Sequence, residues 1–158
     1  MRVYEGFYKS PLGWLSVIST EDTILQIKFR RTVKKQKVLY KTPLLKETYR
    51  QLDEYFAKKR KRLALPFTMM GTEFQKKVWK SLSDIPYGVT VSYADIAKAI
   101  HKPRAVRAVG MALGKNKLPL IIPCHRVISR NKTIGGFASG TSIKKFLLEL
   151  EHAPTAHR

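Results

Sequence analysis

One cysteine, Cys124, stands in a chain of 158 residues. A lone cysteine excludes an intramolecular disulfide and any cysteine-rich zinc site. It leaves the thiol two roles, a small buried hydrophobe or a reactive group. Histidine is also scarce: His101, His125, His152 and His157 complete the set, with no two at helical ligand spacing. No structural metal and no cofactor are expected. Long apolar runs are missing as well. Stretches such as Leu118 to Cys124 fall far short of the roughly 20 residues that span a bilayer. Met1 to Ser10 carries no charged-then-apolar leader, so neither membrane insertion nor secretion is expected. The expected location is the cytoplasm of a prokaryote, with a nucleus the lesser option. Acidic residues number 11 against 31 Lys and Arg, a net charge of +20. So large an excess repels itself unless a polyanion is the partner.

What is present is enough for a core, since 44% of residues are hydrophobic. The length fits one ordinary domain or two small ones. Residues 1–65 hold 16 basic and 6 acidic residues, and residues 66–158 hold 15 and 5, so each part carries +10. That spread describes a charged globular surface rather than a polybasic arm. In the first part, Arg2 to Tyr8 and Leu12 to Ser19 read as strands around a turn at Ser10 to Gly13. Leu25, Ile27 and Phe29 alternate with Gln26 and Lys28, the period of a half-buried strand. From Pro43, Leu45, Tyr49, Leu52 and Phe56 recur at helical spacing. The basic run Lys58 to Arg62 ends that helix and reads as a solvated loop, with a nuclear localisation signal as the other reading. These elements make a small antiparallel sheet plus a helix over residues 1–66.

Residues 67–158 read as all-helical. Thr72 with Gln75 is a capping box, followed by an apolar stripe of Phe74, Val78, Leu82 and Ile85. Pro86-Tyr87-Gly88 stops that helix. Ser92 with Asp95 starts a second, and Pro103 is expected to open a third, in which Val106, Val109 and Leu113 face inward and Gly114 caps the end. Two short helices joined by a tight turn make a helix-turn-helix candidate. Its outward face carries Arg104, Arg107 and Met111. Gly110 interrupts the helix at a cost of roughly 1 kcal/mol relative to alanine, and lets another backbone, such as nucleic acid, approach closely.

Leu118 to Pro123 delivers Pro123-Cys124-His125-Arg126-Val127. A thiol is a poor nucleophile until a neighbouring imidazole or cation favours the thiolate. His125 is adjacent in sequence, so contact with Cys124 needs a turn or a bridging water. A last helix with the stripe Ile143, Phe146, Leu147 and Leu150 ends on Glu149 and Glu151, where its dipole disfavours carboxylates. Either solvation or a packed contact with His125 or an arginine compensates. Gly135-Gly136-Phe137 and Gly140 form a glycine-bearing loop able to line a pocket beside Cys124.

These residues resemble the O6-alkylguanine-DNA alkyltransferases, also called methylated-DNA–protein-cysteine methyltransferases. The matching stretches begin with Gly71-Thr72-Glu73-Phe74-Gln75, Val78-Trp79, Ile85-Pro86-Tyr87-Gly88 and Ser92-Tyr93. Arg107-Ala108-Val109-Gly110, Asn116, Pro123 to Val127, Gly135-Gly136-Phe137 and Leu147 to Glu151 continue the set. Nearly all of residues 71–152 are covered in the family's order. Tyr8 to Gly13 also looks like the family's first hairpin.

The resemblance implies a ribonuclease-H-like N-terminal domain and a C-terminal domain that binds double-stranded DNA through the minor groove. It implies a monomeric suicide protein that moves the alkyl group of O6-alkylguanine, and of O4-alkylthymine, irreversibly to Cys124. His125 would act through water, Glu151 would orient the imidazole, Tyr93 would donate a proton and Asn116 would hold the segment before the cysteine. Arg107 would fill the stack vacated by the flipped base. Arg104, Ala105, Gly110, Met111, Lys115 and Arg126 would complete the DNA contacts. Tyr93, Pro119, Val127, Phe137, Ala138 and Ser139 would line the substrate pocket. Phe137, Ala138 and Lys117 stand where many members have Tyr, Ser and Pro. The presence of Cys124 argues against the cysteine-less alkyltransferase-like proteins. A transcription regulator has no use for the Pro-Cys-His-Arg site, and one thiol without a resolving partner fits a redox enzyme or cysteine hydrolase poorly.

Overall fold

The computed structural model describes residues 1–32, 42–131, 134–137 and 139–153. The chain divides into two compact units, Met1–Met70 and Gly71–Arg158.

The first unit is a three-stranded antiparallel meander in the order β1-β2-β3, formed by β1 (Tyr4–Ser10), β2 (Gly13–Ser19) and β3 (Ile24–Arg30). The Ser10 hydroxyl sets the first turn by donating to the Gly13 carbonyl at 2.7 Å and accepting the Leu12 N–H at 3.0 Å. Gly13 there has φ +98°, open to glycine without strain. In β3 the expected alternation breaks. Ile18 faces Gln26 but Ser19 faces Ile24, which leaves Leu25 as an extra residue. This irregularity buries Ile24 and Ile27 and leaves Leu25 and Phe29 half-buried.

Helix α1 (Pro43–Phe56) starts where Thr42 accepts the Leu45 N–H and Pro43 occupies the first turn. It packs on β1 and β2 and buries Leu45 and Leu52 completely. Lys58, at φ +60°, turns the chain into the basic run. The Gln51 carboxamide then binds both backbone groups of Ala64 and draws the returning segment onto the helix.

The second unit is helical apart from one two-residue ladder. Helix α2 (Glu73–Leu82) opens on the expected Thr72–Gln75 capping box. It buries Val78, Trp79 and Leu82, while Phe74 stays half-buried. The Trp79 indole donates to the Ala112 carbonyl at 2.9 Å and ties α2 to α4 (Val106–Gly114). Strand β4 (Val91–Ser92) runs directly into α3 (Tyr93–Ala99), whose Ser92–Asp95 capping box is also as expected. β4 pairs in parallel with β5 (Val127–Ile128), which leaves the cysteine turn. Helix α5 (Thr141–Leu150) closes the unit.

Three expectations are corrected. Pro103 does not open α4; the Ala105 N–H donates to the Lys102 carbonyl at 2.9 Å and closes a turn around it. The helix therefore begins at Val106 with Ala105 as its cap and Gly114 as its last residue, followed by Lys115 as C-cap. Val106 is 38% exposed rather than inward, and Val109 and Ala112 form the buried face. Among the described residues, no helix is long and apolar enough to cross a membrane.

Candidate active site

Three backbone devices deliver Cys124. Asn116 clamps the approach, its amide donating to the Ile122 carbonyl at 3.0 Å while its oxygen accepts the Leu118 N–H at 2.9 Å. The Cys124 N–H then donates to the Ile122 carbonyl at 2.8 Å. Cys124–Arg126 forms a single 3-10 turn. Around that turn Cys124 faces a pocket while His125 packs against Glu151.

Cys124, 8% exposed, lines a pocket of about 340 Å³ together with Tyr93, Gly110, Leu113, Gly136 and Phe137. Gly114 adds to the same wall. Helix α4 therefore lines the pocket with Gly110, Leu113 and Gly114 while Arg107 and Met111 remain exposed. The β4–β5 ladder fixes the start of α3, and hence Tyr93, beside the cysteine turn. Gly135 has φ +73°, and a Cβ there would meet the Tyr93 hydroxyl at 2.9 Å, so this loop position suits only glycine.

His125 turns inward, where its Nε2 lies 2.8 Å from Glu151 Oε2. Arg126 binds the same carboxylate through both oxygens, at 2.9 and 3.1 Å, and donates to the Ile85 carbonyl at 2.7 Å. The end of α5 is thus compensated by packed contacts. Glu149, two residues earlier, is exposed. With Nε2 donating to a carboxylate, the neutral ring carries its lone pair at Nδ1, which has no hydrogen-bond partner among the described residues.

Burial sets the protonation states. It pushes the Cys124 thiol up; the Asn116 side chain, the Lys144 charge and the local N–H groups pull the other way. It pushes His125 down despite Glu151, so the resting imidazole is neutral. Burial also raises Tyr93, a shift that grows once the thiol ionises, and keeps its hydroxyl protonated. Neutral thiol, neutral base and intact phenol therefore share one site.

Lys144 is wholly buried. Its ammonium donates to the Val127 carbonyl at 2.6 Å and the Gly136 carbonyl at 3.1 Å. Burial pushes it down to about 8. Sequence reading missed it, along with Leu113 and Gly114 in the pocket wall, whereas Gly136 lines the pocket as its loop was expected to.

Of the expected DNA contacts, Arg104, Arg107, Met111 and Lys115 are exposed and Ala105 and Gly110 half-buried. Arg126 is corrected: it is 8% exposed, and its guanidinium is committed to Glu151 and Ile85. Of the expected pocket residues, Tyr93 and Phe137 line it. Pro119 and Val127 are buried outside the lining, Val127 in the ladder with Val91, and half-buried Ser139 also lies outside it. Ala138 lies outside the described residues. Among the described residues no cluster of three or more His, Cys, Asp or Glu is placed to hold a metal ion.

Fold and site together define a protein that presents one buried thiol in a pocket walled by a helix whose outer face exposes Arg107 and Met111. The family model described as 6-O-methylguanine DNA methyltransferase, DNA binding domain, matches residues 73–153, and that of the ribonuclease-like domain matches residues 3–69. The chain belongs to the 6-O-methylguanine DNA methyltransferase family. It is 47% identical to the constitutive methylated-DNA–protein-cysteine methyltransferase of Bacillus subtilis, over 90% of this chain and 92% of that one. Identity to the methylated-DNA–protein-cysteine methyltransferase of Methanosarcina acetivorans is 41%, over 94% and 98%. Among solved structures, Mycobacterium tuberculosis OGT in complex with DNA superposes with a TM-score of 0.85 at 35% identity, covering 95% of this chain and 94% of that one.

Proposed function

We propose that this chain repairs DNA by transferring the alkyl group of O6-alkylguanine to the sulfur of Cys124, once per molecule. The observation that carries this reading is Cys124 in its pocket, backed by the buried His125–Glu151–Arg126 cluster. Neutral His125 takes the thiol proton through a water at Nδ1, and Glu151 holds the resulting imidazolium. The thiolate attacks the alkyl carbon in line, forming a C–S bond as the C–O6 bond breaks. Tyr93 donates its hydroxyl proton to the departing guanine and regains one from His125. The thioether has no route back, so the protein is consumed.

In this reading residues 1–66 form the N-terminal domain and residues 67–158 the catalytic and DNA-binding one. Helices α3 and α4 act as a helix-turn-helix that lies in the minor groove. Arg107 fills the gap left by the flipped base, with Arg104, Ala105, Gly110, Met111 and Lys115 along the duplex. Because α4 both faces outward and walls the pocket, a base extruded past it enters the site directly. The protein works as a monomer in the cytoplasm, where its DNA substrate lies. Cys124→Ser tests the chemistry: it should bind alkylated duplex as the parent does and transfer nothing. Transfer at the parental rate would remove Cys124 from the mechanism.

A further inference from the structure

Among the described residues the largest fully buried side chain is a lysine. Lys144 sits on α5 and reaches two carbonyls, those of Val127 in β5 and Gly136 in the glycine loop. The first belongs to the segment leaving the cysteine turn, and the second to the wall that carries Phe137. The ammonium also lies 5.9 Å from the centroid of the Tyr93 ring. Among the described residues no carboxylate pairs with it. Glu151, on the same face of α5, is taken up by His125 and Arg126.

We propose that Lys144 is a positioning residue for alkyl transfer: its buried ammonium pins the Phe137 wall to the cysteine turn and supplies the positive charge that lets the Cys124 thiol ionise. This rests on Cys124 being the acceptor. The structure keeps an unpaired cation in a place where a methionine of similar length would bury more cheaply. Two carbonyl dipoles stabilise that cation, and so does a thiolate when it forms. The titratable groups around it are Cys124 and His125 on the turn, Tyr93 on α3 and Glu151 on its own helix. Of these the thiol is the first to gain a negative charge in the reaction, ahead of Tyr93, and among the described residues no other cation is bound to it. The clamp and the charge also make separate demands. An uncharged donor keeps part of the clamp, and a bulkier cation keeps the charge.

The test reads the thiol without any alkylated base. Iodoacetamide capture of Cys124 is followed by intact mass from about pH 6 to 10 in the parent and in Lys144→Met, Lys144→Gln and Lys144→Arg. Both neutral variants should shift the midpoint of capture upward by about one unit or more, and Lys144→Arg should hold it near the parent. Alkyl transfer from O6-methylguanine duplex, read in parallel, should fall at least tenfold at neutral pH in the neutral variants and recover as pH rises. Capture midpoints unchanged in a folded neutral variant would overturn the proposal, as would a transfer loss equal at every pH. Should neither neutral variant fold, Lys144→Arg decides: a midpoint well above the parent's overturns the proposal, and one at or below it supports it. A parent that transfers no alkyl group yet shows the Lys144-dependent midpoint would condemn the repair reading, and with it the role in transfer, leaving only the effect of the Lys144 charge on the thiol.

Discussion

His125 and Glu151 meet at 2.8 Å with 1% and 0% of their side chains exposed, although 26 positions separate them in the chain. Glu151 stands at the C-terminal end of α5, where the helix dipole is unfavourable to it. Two donors overcome that, the imidazole Nε2–H and the fork of Arg126. Orienting the imidazole and neutralising the helix end are one arrangement.

Removing the carboxylate should therefore cost stability as well as activity. Glu151→Gln leaves the Arg126 guanidinium buried without its counter-charge, a loss of about 3–5 kcal/mol. Urea unfolding measures it. A loss below about 1 kcal/mol would mean that the cluster is far more hydrated than its geometry.

The depressed His125 predicts the sign of two pH effects. Its folded midpoint lies below the ordinary 6.5, so below that pH the unfolded chain takes up its proton before the folded one. Its contribution to stability is complete above about 6.5 and is lost as pH falls toward the folded midpoint. The single-turnover transfer rate should hold through 6.5 and drop only at more acid pH, once the ring is protonated. An acid limb centred at or above 6.5 would place the base elsewhere.

The glycine loop separates space from strain. Gly135→Ala should destabilise by about 1–3 kcal/mol and slow transfer, because φ +73° and the Tyr93 hydroxyl both oppose a Cβ. A Cβ on Gly136 meets nothing within 4 Å, so Gly136→Ala should stay within about 0.5 kcal/mol. Thermal unfolding of the pair checks the contrast, and equal losses would contradict it.

Exposed Arg107 should matter for duplex DNA and little for free base. Arg107→Ala is expected to slow transfer from duplex O6-methylguanine at least tenfold and from free O6-methylguanine less than twofold. Equal slowing would remove its part in base flipping. Binding of the parent should weaken steeply with salt, since each phosphate contact releases counterions. Salt-independent affinity would leave the charge of +20 without its partner.

The local devices were readable in the sequence. Two capping boxes, Thr72–Gln75 and Ser92–Asp95, and the Pro43 start of α1 formed as expected because each acts over three or four residues. Pro103 was misplaced because proline suits a turn as well as a helix start, and the Lys102–Ala105 hydrogen bond decided between them. Arg126 was expected among the DNA contacts by resemblance; which groups it binds was not legible, since Glu151 and Ile85 lie 25 and 41 residues away. Lys144 was hidden for the same reason, with carbonyl partners 17 and 8 residues off. A faint signal existed. Lys144, Leu147, Leu148 and Glu151 fall on one helical face, so a lysine and a glutamate share a stripe with two leucines.

The central claim is tested most directly by intact mass after mixing the protein with an equimolar duplex carrying one O6-methylguanine, followed by peptide mapping. The account predicts a gain of one methylene, located on Cys124 and saturating at one per protein. No gain, with preference for the alkylated duplex still present, would contradict transfer and leave a protein that only recognises the damage.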